Sequence, residues 1–466
     1  MWSEYKNSKN LFAPTLELSR LEITSEDMKA VIYNVRMGLK VLKLSRFYKY
    51  PEDLVDIVKF SLSCSPKLCK LNISDNNLGS KCIADILNML KDNTNIRKLD
   101  ISSNNITSDC AEHIANFLMI NNTLNNLNFA INCLEDKGVE QIANGLRLNT
   151  TLLTVNLSSN SITDIGIACF SELLKRQNTA LTNLNISKNK ITKEGFKYLA
   201  DALKVNKILI SLTISDNIID DKGMKHISEA LKVNKTLAEL DCSACSITET
   251  GAKYISEALK VNTTLNYLDI SCNSLTDLGI RYISEALMIN QNLETLCVSS
   301  SSMLSVGVKY ISDALTKNRS LKFLDISENC IQDEGVKNLC ESLKLNYYLT
   351  SLILYDVEST DLSAKYISDM LETNQTLHEL DLGDNWFKKD GATYLSKFLR
   401  TNKTLKILYM PVLMLEPEEA QILFDALREN TTVKKLGVSK YSILYEVFGR
   451  QILEDAKGKN REVFVD

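Results

Sequence analysis

The fold of this chain is decided by an eleven-residue stretch that reads Leu152-Leu153-Thr154-Val155-Asn156-Leu157-Ser158-Ser159-Asn160-Ser161-Ile162. Counted from its first leucine, the pattern places aliphatic residues at positions 1, 4, 6 and 11 and an asparagine at position 9. It returns every 28 residues, with one step of 29. Such a period predicts a solenoid, in which each repeat packs only against its neighbours. The first positions are Leu68, Ile96, Leu124, Leu152, Leu181, Leu209, Leu237, Leu265, Leu293, Leu321, Leu349, Leu377, Leu405 and Val433.

Each repeat predicts one short strand and one helix. In the repeat that begins at Leu265, Leu268 and Ile270 alternate with Tyr267 and Asp269, so we expect the first pair to face the core and the second pair to point outward. Apolar residues spaced by four and three then predict a helix with one buried stripe. Strands stack ~4.8 Å apart, whereas helices need ~8–10 Å. The fold class is therefore α/β, a horseshoe-shaped solenoid with a parallel β-sheet on the concave face and α-helices on the convex face.

Two rows of asparagines run through the repeats. We interpret the row after each helix as C-caps in the left-handed conformation that asparagine tolerates. We expect the position 9 row to bond backbone groups of its own turn and of the next repeat. Cys245 and Ser301 replace asparagine there and can keep part of that bonding. The cap row comprises Asn93, Asn121, Asn149, Asn178, Asn206, Asn234, Asn262, Asn290, Asn318, Asn346, Asn374, Asn402 and Asn430.

Composition favours a cytoplasmic protein. The net charge of −4 argues against a nucleic-acid partner, which requires a basic stripe. No run of 18 apolar residues is present, and residues 1–6 lack the build of a secretory signal, so we expect no membrane association. The 12 cysteines fit a reducing compartment. We interpret Cys82, Cys110, Cys133, Cys242 and Cys245 as small apolar residues packed inside.

Residues suited to chemistry are scarce. His113 and His226 occupy a helix position that is tyrosine in other repeats, where packing is the simplest role, and no histidine has metal-ligand spacing. Cys242-Ser243-Ala244-Cys245 resembles a redox motif, but both cysteines fall on structural positions of the repeat. No phosphate-binding glycine loop or nucleophile elbow occurs. We therefore predict no catalytic, metal or cofactor site, and no enzyme.

The outward strand positions change character along the chain. They are polar and weakly basic in the early repeats, as at Lys70 and Lys98, and become acidic and aromatic from the seventh repeat onward. Aromatic side chains exposed among charges are typical of protein-binding hot spots, and acidic surroundings suit a partner with a basic surface. The predicted partner-binding residues are Glu239, Asp241, Tyr267, Asp269, Phe323, Asp325, Tyr355, His378, Asp381, Trp386 and Tyr409.

The repeats resemble those of the ribonuclease-inhibitor-like class of leucine-rich-repeat proteins. Two stretches carry the resemblance, the one from Leu152 to Ile162 and the cysteine variant from Leu237 to Ile247, together with the long helical half of each repeat. The class implies a monomeric, non-enzymatic scaffold that binds a partner protein on its concave face. Two alternatives stay open: a regulator of a small GTPase resembling the Ran GTPase-activating proteins, and a bacterial effector acting in a host cytosol.

The ends and two repeats depart from the pattern. Residues 1–67 carry worn repeats at Leu18–Ile23 and Leu39–Leu44, with helices expected near 26–37 and 52–60, and we interpret them as an N-terminal cap. Trp2 and Phe12 could instead dock a partner. Residues 68–440 form the repeats, and residues 441–466 form a C-terminal cap with a helix over 442–456 and a charged tail. The irregular turns 299–303 and 354–359 are either sites of grafted function or neutral drift.

Overall fold

The computed structural model describes residues 14–19, 24–46, 51–176, 180–410, 415–439 and 442–465. The chain divides into two compact units. The first unit comprises residues 1–219 and 233–237, and the second comprises residues 220–232 and 238–466. Trp2 and Phe12, the alternative docking residues, and Asn178 of the cap row lie outside the described residues.

In the described part of the first unit, eight strands alternate with seven helices, and each strand pairs in parallel with the next. The strands are β1 Thr15–Glu17, β2 Val41–Lys43, β3 Lys70–Asn72, β4 Lys98–Asp100, β5 Asn126–Asn128, β6 Thr154–Asn156, β7 Asn183–Asn185 and β8 Ser211–Thr213. The helices are α1 Ser25–Val35, α2 Pro51–Cys64, α3 Gly79–Leu90, α4 Ala111–Ile120, α5 Glu135–Leu146, α6 Asp164–Leu174 and α7 Lys193–Val205.

The second unit repeats this arrangement, with nine described strands in parallel register and nine helices. The strands are β9 Glu239–Asp241, β10 Tyr267–Asp269, β11 Thr295–Cys297, β12 Phe323–Asp325, β13 Ser351–Ile353, β14 Glu379–Asp381, β15 Ile407–Met410, β16 Lys435–Val438 and β17 Glu462–Val465. The helices are α8 Asp220–Leu231, α9 Glu249–Leu259, α10 Thr276–Leu287, α11 Ser305–Leu315, α12 Gln332–Leu343, α13 Asp361–Leu371, α14 Lys389–Thr401, α15 Pro417–Glu429 and α16 Ile443–Lys459.

The core of each unit is a layer of aliphatic side chains between strands and helices. Leu265, Leu268 and Ile270 are fully buried, as their positions 1, 4 and 6 predict, and Ile283 and Leu287 of α10 close the layer from the helix side. Burying one such side chain stabilises the fold by about 1.5–3 kcal/mol. The predicted alternation of one short parallel strand and one helix per repeat is confirmed.

The asparagines that follow the helices are structural, but the predicted left-handed conformation is wrong. Asn206 has φ −68° and ψ 134°, which is extended backbone. Its counterpart Asn290 works through the side chain instead. Its Oδ1 accepts the backbone N–H groups of Asn292 and Leu293, at 2.9 and 2.8 Å. Its Nδ2 donates to the carbonyl of Leu259, at 2.8 Å. Asn290 therefore ties a helix end of the preceding repeat to the turn before the next strand.

The buried asparagines of position 9 join consecutive turns. Asn273 donates to its own turn at Ile270 O (2.9 Å) and to Cys242 O (3.1 Å), and its Oδ1 accepts from the N–H groups of Cys245 and Ile247. The inter-repeat bonds run to the preceding repeat, where the sequence led us to expect the next one. Ser301, which replaces asparagine, keeps a bond to Val298 O at 2.7 Å.

From α8 to α13, helix starts alternate between two forms, a feature the repeat pattern did not indicate. Asp221 accepts bonds from the N–H groups of Thr248 and Gly251, so one repeat caps the next helix. Asp277 caps the helix after Leu304 in the same way. The helices between them start instead at residues with positive φ, such as Thr276 (57°). A carboxylate at a helix N-terminus satisfies free N–H groups and complements the helix dipole.

The ends follow the prediction in outline and correct it in detail. The first strand is residues 15–17, with Leu16 and Leu18 buried, where we expected a strand starting at Leu18. Residues 20–23 lie outside the described part. The helices expected near 26–37, 52–60 and 442–456 are present as α1, α2 and α16. The tail is not merely charged, because its residues 462–465 form β17, which pairs with β16.

Four of the five cysteines expected in the interior are buried, and one is not. Cys82, Cys110, Cys242 and Cys245 are buried, as expected, but Cys133 is exposed. It occupies position 10, directly after the inward-pointing asparagine of position 9, so its side chain faces away from the core. Burial raises the pKa of the Cys242 thiol well above its ordinary value. Cys242 and Cys245 are thus packed into the interior without a disulfide bond.

Candidate functional site

The candidate site is the strand face of the second unit, which we define by the outward residues at positions 3 and 5 of β9 to β16. These side chains stand in two rows, because the strands pair in parallel without a register shift. Position 3 holds Glu239, Tyr267, Thr295, Phe323, Ser351, Glu379, Ile407 and Lys435. Position 5 holds Asp241, Asp269, Cys297, Asp325, Ile353, Asp381, Tyr409 and Gly437.

The aspartates of position 5 have a structural bond in common. The Oδ1 of Asp325 accepts the N–H of Ser327 at 3.0 Å, and the Oδ1 of Asp381 accepts the N–H of Gly383 at 2.9 Å. Each bond lies where a strand ends and a turn begins. Short polar side chains commonly bond the backbone at such places. In the first unit, Asn156 and Asn185 make the same bond through a neutral amide oxygen. Where this bond forms, an amide oxygen serves as well as a carboxylate oxygen, so the bond does not need a negative charge.

The carboxylates of this face are crowded. Burial, followed by repulsion from Asp325, Glu379 and Asp384, raises the pKa of Asp381 to about 6. Burial also raises the pKa of Asp269, and repulsion from Asp241 and Asp325 adds to this rise. Hydrogen bonds from Ser271 lower the pKa but do not cancel the rise. Asp241 and Asp269 lie on directly paired strands, where like charges repel. A positive group bound among them would relieve this repulsion.

The aromatic residues of the strands contribute contact area. Tyr267 and Phe323 are half-buried at position 3, on two strands that both pair with β11. The pKa of Tyr267 is raised by burial, then by the neighbouring Cys297 thiol and the carboxylates. Tyr409 lies over Gly437 of the next strand, where any β-carbon would overlap its ring. Half-buried aromatic rings of this kind offer a partner large contact area at low entropic cost.

Three predicted residues lie at the ends of the strands and not on them. His378 is at position 2, immediately before β14. Tyr355 is at position 7, in the turn after β13, and its hydroxyl donates to Asp384. This bond, together with burial, raises the pKa of Tyr355 to about 12. Trp386, at position 10, pairs by a backbone bridge with Thr360 and is 48% exposed.

Further carboxylates in the turns extend the acidic character of the site. Asp356 is exposed at position 8 with φ 47°, and Glu328 and Asp384 hold the same position in the neighbouring repeats. Burial and repulsion from Asp384, Glu328 and Glu358 raise the pKa of Asp356. The outward strand register missed Asp356 and Glu358. The signal that could have found them is positions 8 and 10, where a left-handed residue places its side chain outside the turn.

The described part of the chain bears on two other kinds of site. No group of three or more His, Cys, Asp or Glu side chains there is arranged to hold a metal ion. None of the described helices is both long enough and apolar enough to cross a membrane.

Comparisons with known proteins agree with this architecture. A family model described as leucine-rich repeat matches residues 92–115, 148–171, 177–200, 261–284, 317–340 and 373–396. A comparison of the sequence with curated proteins finds no match. The repeat, the strand-and-helix units and the matched segments together show that the chain is built of leucine-rich repeats.

Several solved structures are similar in fold. Actin-binding site 2 of leiomodin-1 is 24% identical over 32% of this chain and 86% of that one, with a TM-score of 0.29. An internalin from Listeria monocytogenes is 19% identical over 77% and 88%, with a TM-score of 0.40. A chain of the yeast Rad7–Elc1 complex is 17% identical over 83% and 88%, with a TM-score of 0.48. At these identities the likeness concerns the fold alone.

Proposed function

We propose that this leucine-rich-repeat protein is a non-enzymatic scaffold that binds a basic segment of a partner protein on the strand face of its second unit. The observation that carries the proposal is the charge at position 5. In the first unit, asparagine makes the turn bond at residues 72, 128, 156 and 185 and aspartate makes it at residue 100, whereas in the second unit aspartate makes it at residues 241, 269, 325 and 381. A charge that the fold does not need, and that costs mutual repulsion, is best explained by a cationic partner.

The aromatic and turn residues complete this surface. Tyr267, Phe323 and Tyr409 provide the apolar contact area on the strands. His378 lies before the strands, and Trp386 lies beyond them with Tyr355 and its partner Asp384. An extended basic segment that runs along the strand direction would contact His378 before the strands, the aromatic residues on the strands, and the turn residues beyond them.

We also infer that the chain is of the ribonuclease-inhibitor-like subtype, a cytoplasmic monomer with capped ends. Helices of ten or more residues in every described repeat support the subtype, and twelve free cysteines support a reducing compartment. At the C-terminal end, the buried Arg461 donates to Asn430 O at 2.8 Å and to Val433 O at 2.9 Å. Regulation of a small GTPase and action in a host cytosol remain predictions from the sequence.

The test uses a charge-removing variant that keeps the turn bonds. Asp269→Asn with Asp381→Asn removes two charges from the face, and the amide oxygen can still accept the N–H groups of Ser271 and Gly383. The matched control is Glu341→Gln with Glu454→Gln, which removes two charges from exposed positions on α12 and α16. Circular dichroism and thermal unfolding establish that all three proteins are folded.

Binding is measured by fluorescence anisotropy with a labelled lysine- and arginine-rich peptide at low and at 0.5 M salt. We expect the face variant to bind about tenfold more weakly than the control, since two charge contacts of about 0.7 kcal/mol each are lost. Partner proteins captured from lysate should then be lost by the same variant, and a GTP hydrolysis assay on any captured GTPase tests that alternative. Equal binding by the face variant and the control would refute the proposed site.

A further inference from the structure

The strand face of the first unit carries a groove of opposite character. It has a volume of about 400 Å³ and is lined by outward residues of β2 to β6. Its charged and polar walls are Lys43, Lys70, Lys98, Asp100, Asn126 and Asn156. All of these residues belong to the first unit, so the groove is separate from the acidic face described above.

Two lysines of the groove occupy electrostatically unfavourable positions. Lys70 and Lys98 are exposed at position 3 of directly paired strands, where two like charges repel. Neither makes an ion pair with any residue in the described ranges, whereas Lys43 pairs with Glu17 at 3.0 Å. The turns and the core of these repeats use other residues, so the fold does not require lysine at either position.

The acidic residue of the groove does not neutralise them. Asp100 accepts bonds from the side-chain amides of Asn72, at 3.2 Å, and Asn128, at 3.1 Å. It also accepts the N–H and hydroxyl of Ser102, at 3.1 and 2.6 Å. Its two oxygens are therefore occupied by neutral donors, and the ammonium groups of Lys70 and Lys98 remain available to a ligand.

From this arrangement we infer a second binding surface: the groove takes an extended acidic peptide segment of a partner protein. Carboxylates spaced along such a segment would meet Lys70 and Lys98, while the amides of Asn126 and Asn156 offer donors and acceptors to its backbone. A nucleic acid is disfavoured, because the groove lining holds no aromatic side chain for base stacking and only a few positive charges. A partner carrying both basic and acidic segments could use the two surfaces separately.

The experiment measures binding of a labelled glutamate-rich peptide to the full chain by fluorescence anisotropy. A glutamine version of the peptide controls for charge. The groove variant is Lys70→Gln with Lys98→Gln, and the matched control is Lys81→Gln with Lys137→Gln, which removes two lysines from exposed positions on α3 and α5. We expect about tenfold weaker binding by the groove variant alone, and loss of binding in 0.5 M salt.

Four results would overturn the inference. The first is no preference for the glutamate peptide over its glutamine version at low salt. The second is equal loss of binding in the groove and control variants. The third is self-association of the wild-type chain at low salt that the groove variant abolishes, seen by sedimentation velocity, which would make a second copy the occupant. A single-stranded oligonucleotide that competes better than the acidic peptide would equally exclude a peptide site.

Discussion

The two units build the same turn with different chemistry at position 5. In the first unit, Asn156 and Asn185 end their strands with an amide oxygen that accepts the N–H two residues later. In the second unit, Asp325 and Asp381 make the same bond with a carboxylate. Asp100 makes this bond in the first unit as well, so the bond itself does not depend on the charge. The comparison separates what the repeat needs from what its surface presents.

The largest effect should come from the shared core, and it should be similar in both units. Leu127→Ala and Leu268→Ala each remove a buried position 4 side chain, exposed by at most 2%. We expect each change to destabilise its unit by about 2–5 kcal/mol, because transfer energy is lost and a cavity remains. Urea unfolding followed by circular dichroism measures this. A cost below 1 kcal/mol in one unit only would show that the repeats are not equivalent in their cores.

A somewhat smaller effect is expected at position 9. Asn160→Ala and Asn273→Ala each leave several buried backbone groups without their partners. We expect losses of about 2–4 kcal/mol in stability. Asn273→Ser should cost less, since Ser301 shows that a hydroxyl keeps one of these bonds. If the serine variant lost as much stability as the alanine variant in thermal unfolding, the position 9 asparagines would not act through hydrogen bonds to their own turns.

The pH dependence of Asp381 distinguishes the acidic face from its neutral counterpart. Its pKa is about 6 in the folded chain, against an ordinary value of 3.8. Ionisation is therefore disfavoured by folding, and this destabilisation is fully present above pH 6 and disappears as the pH falls toward 4. We expect Asp381→Asn to raise stability by about 1 kcal/mol at pH 8, after allowing for solvent screening, and by nothing near pH 4. A pH-independent difference between the two proteins would contradict this.

The smallest effect on stability should come from transplanting charge into the first unit. Asn156→Asp with Asn185→Asp reproduces, on the paired strands β6 and β7, the neighbouring carboxylates Asp241 and Asp269. We expect less than about 1 kcal/mol of destabilisation at pH 7, since the turn bonds persist and only repulsion is added. Anisotropy should show weaker binding of the glutamate-rich peptide. Unfolding of the first unit at neutral pH would show that its amides are required by the fold.

The sequence predicted the periodic positions correctly where the fold offers a side chain only one environment. Leu265, Leu268 and Ile270 lie in the core, and Tyr267 and Asp269 point outward, because a strand of three residues leaves each side chain a single face. Position 9 is buried and bonded to its own turn as expected, whereas its inter-repeat bonds run to the preceding repeat and not to the next one. Errors arose where two local solutions compete. Asn206 could satisfy a helix end by a left-handed backbone or by its side chain, and the sequence alone does not choose between them. Of the candidate site, the rows on the strands followed from register, whereas Asp356 and the bond from Tyr355 to Asp384 did not.

By itself, the sequence determined the repeat, the alternation of strand and helix, and which residues face the core. It could do so because burial of aliphatic side chains at a regular period is a local signal repeated many times. Only the tertiary structure decided which partners the polar side chains choose. Whether Asp100 is saturated by Asn72 and Asn128, or Asp221 caps the helix of the next repeat, depends on residues about 28 positions away that meet only after stacking. Hydrogen bonding is directional and short-ranged, so its outcome is settled by geometry that no single repeat contains.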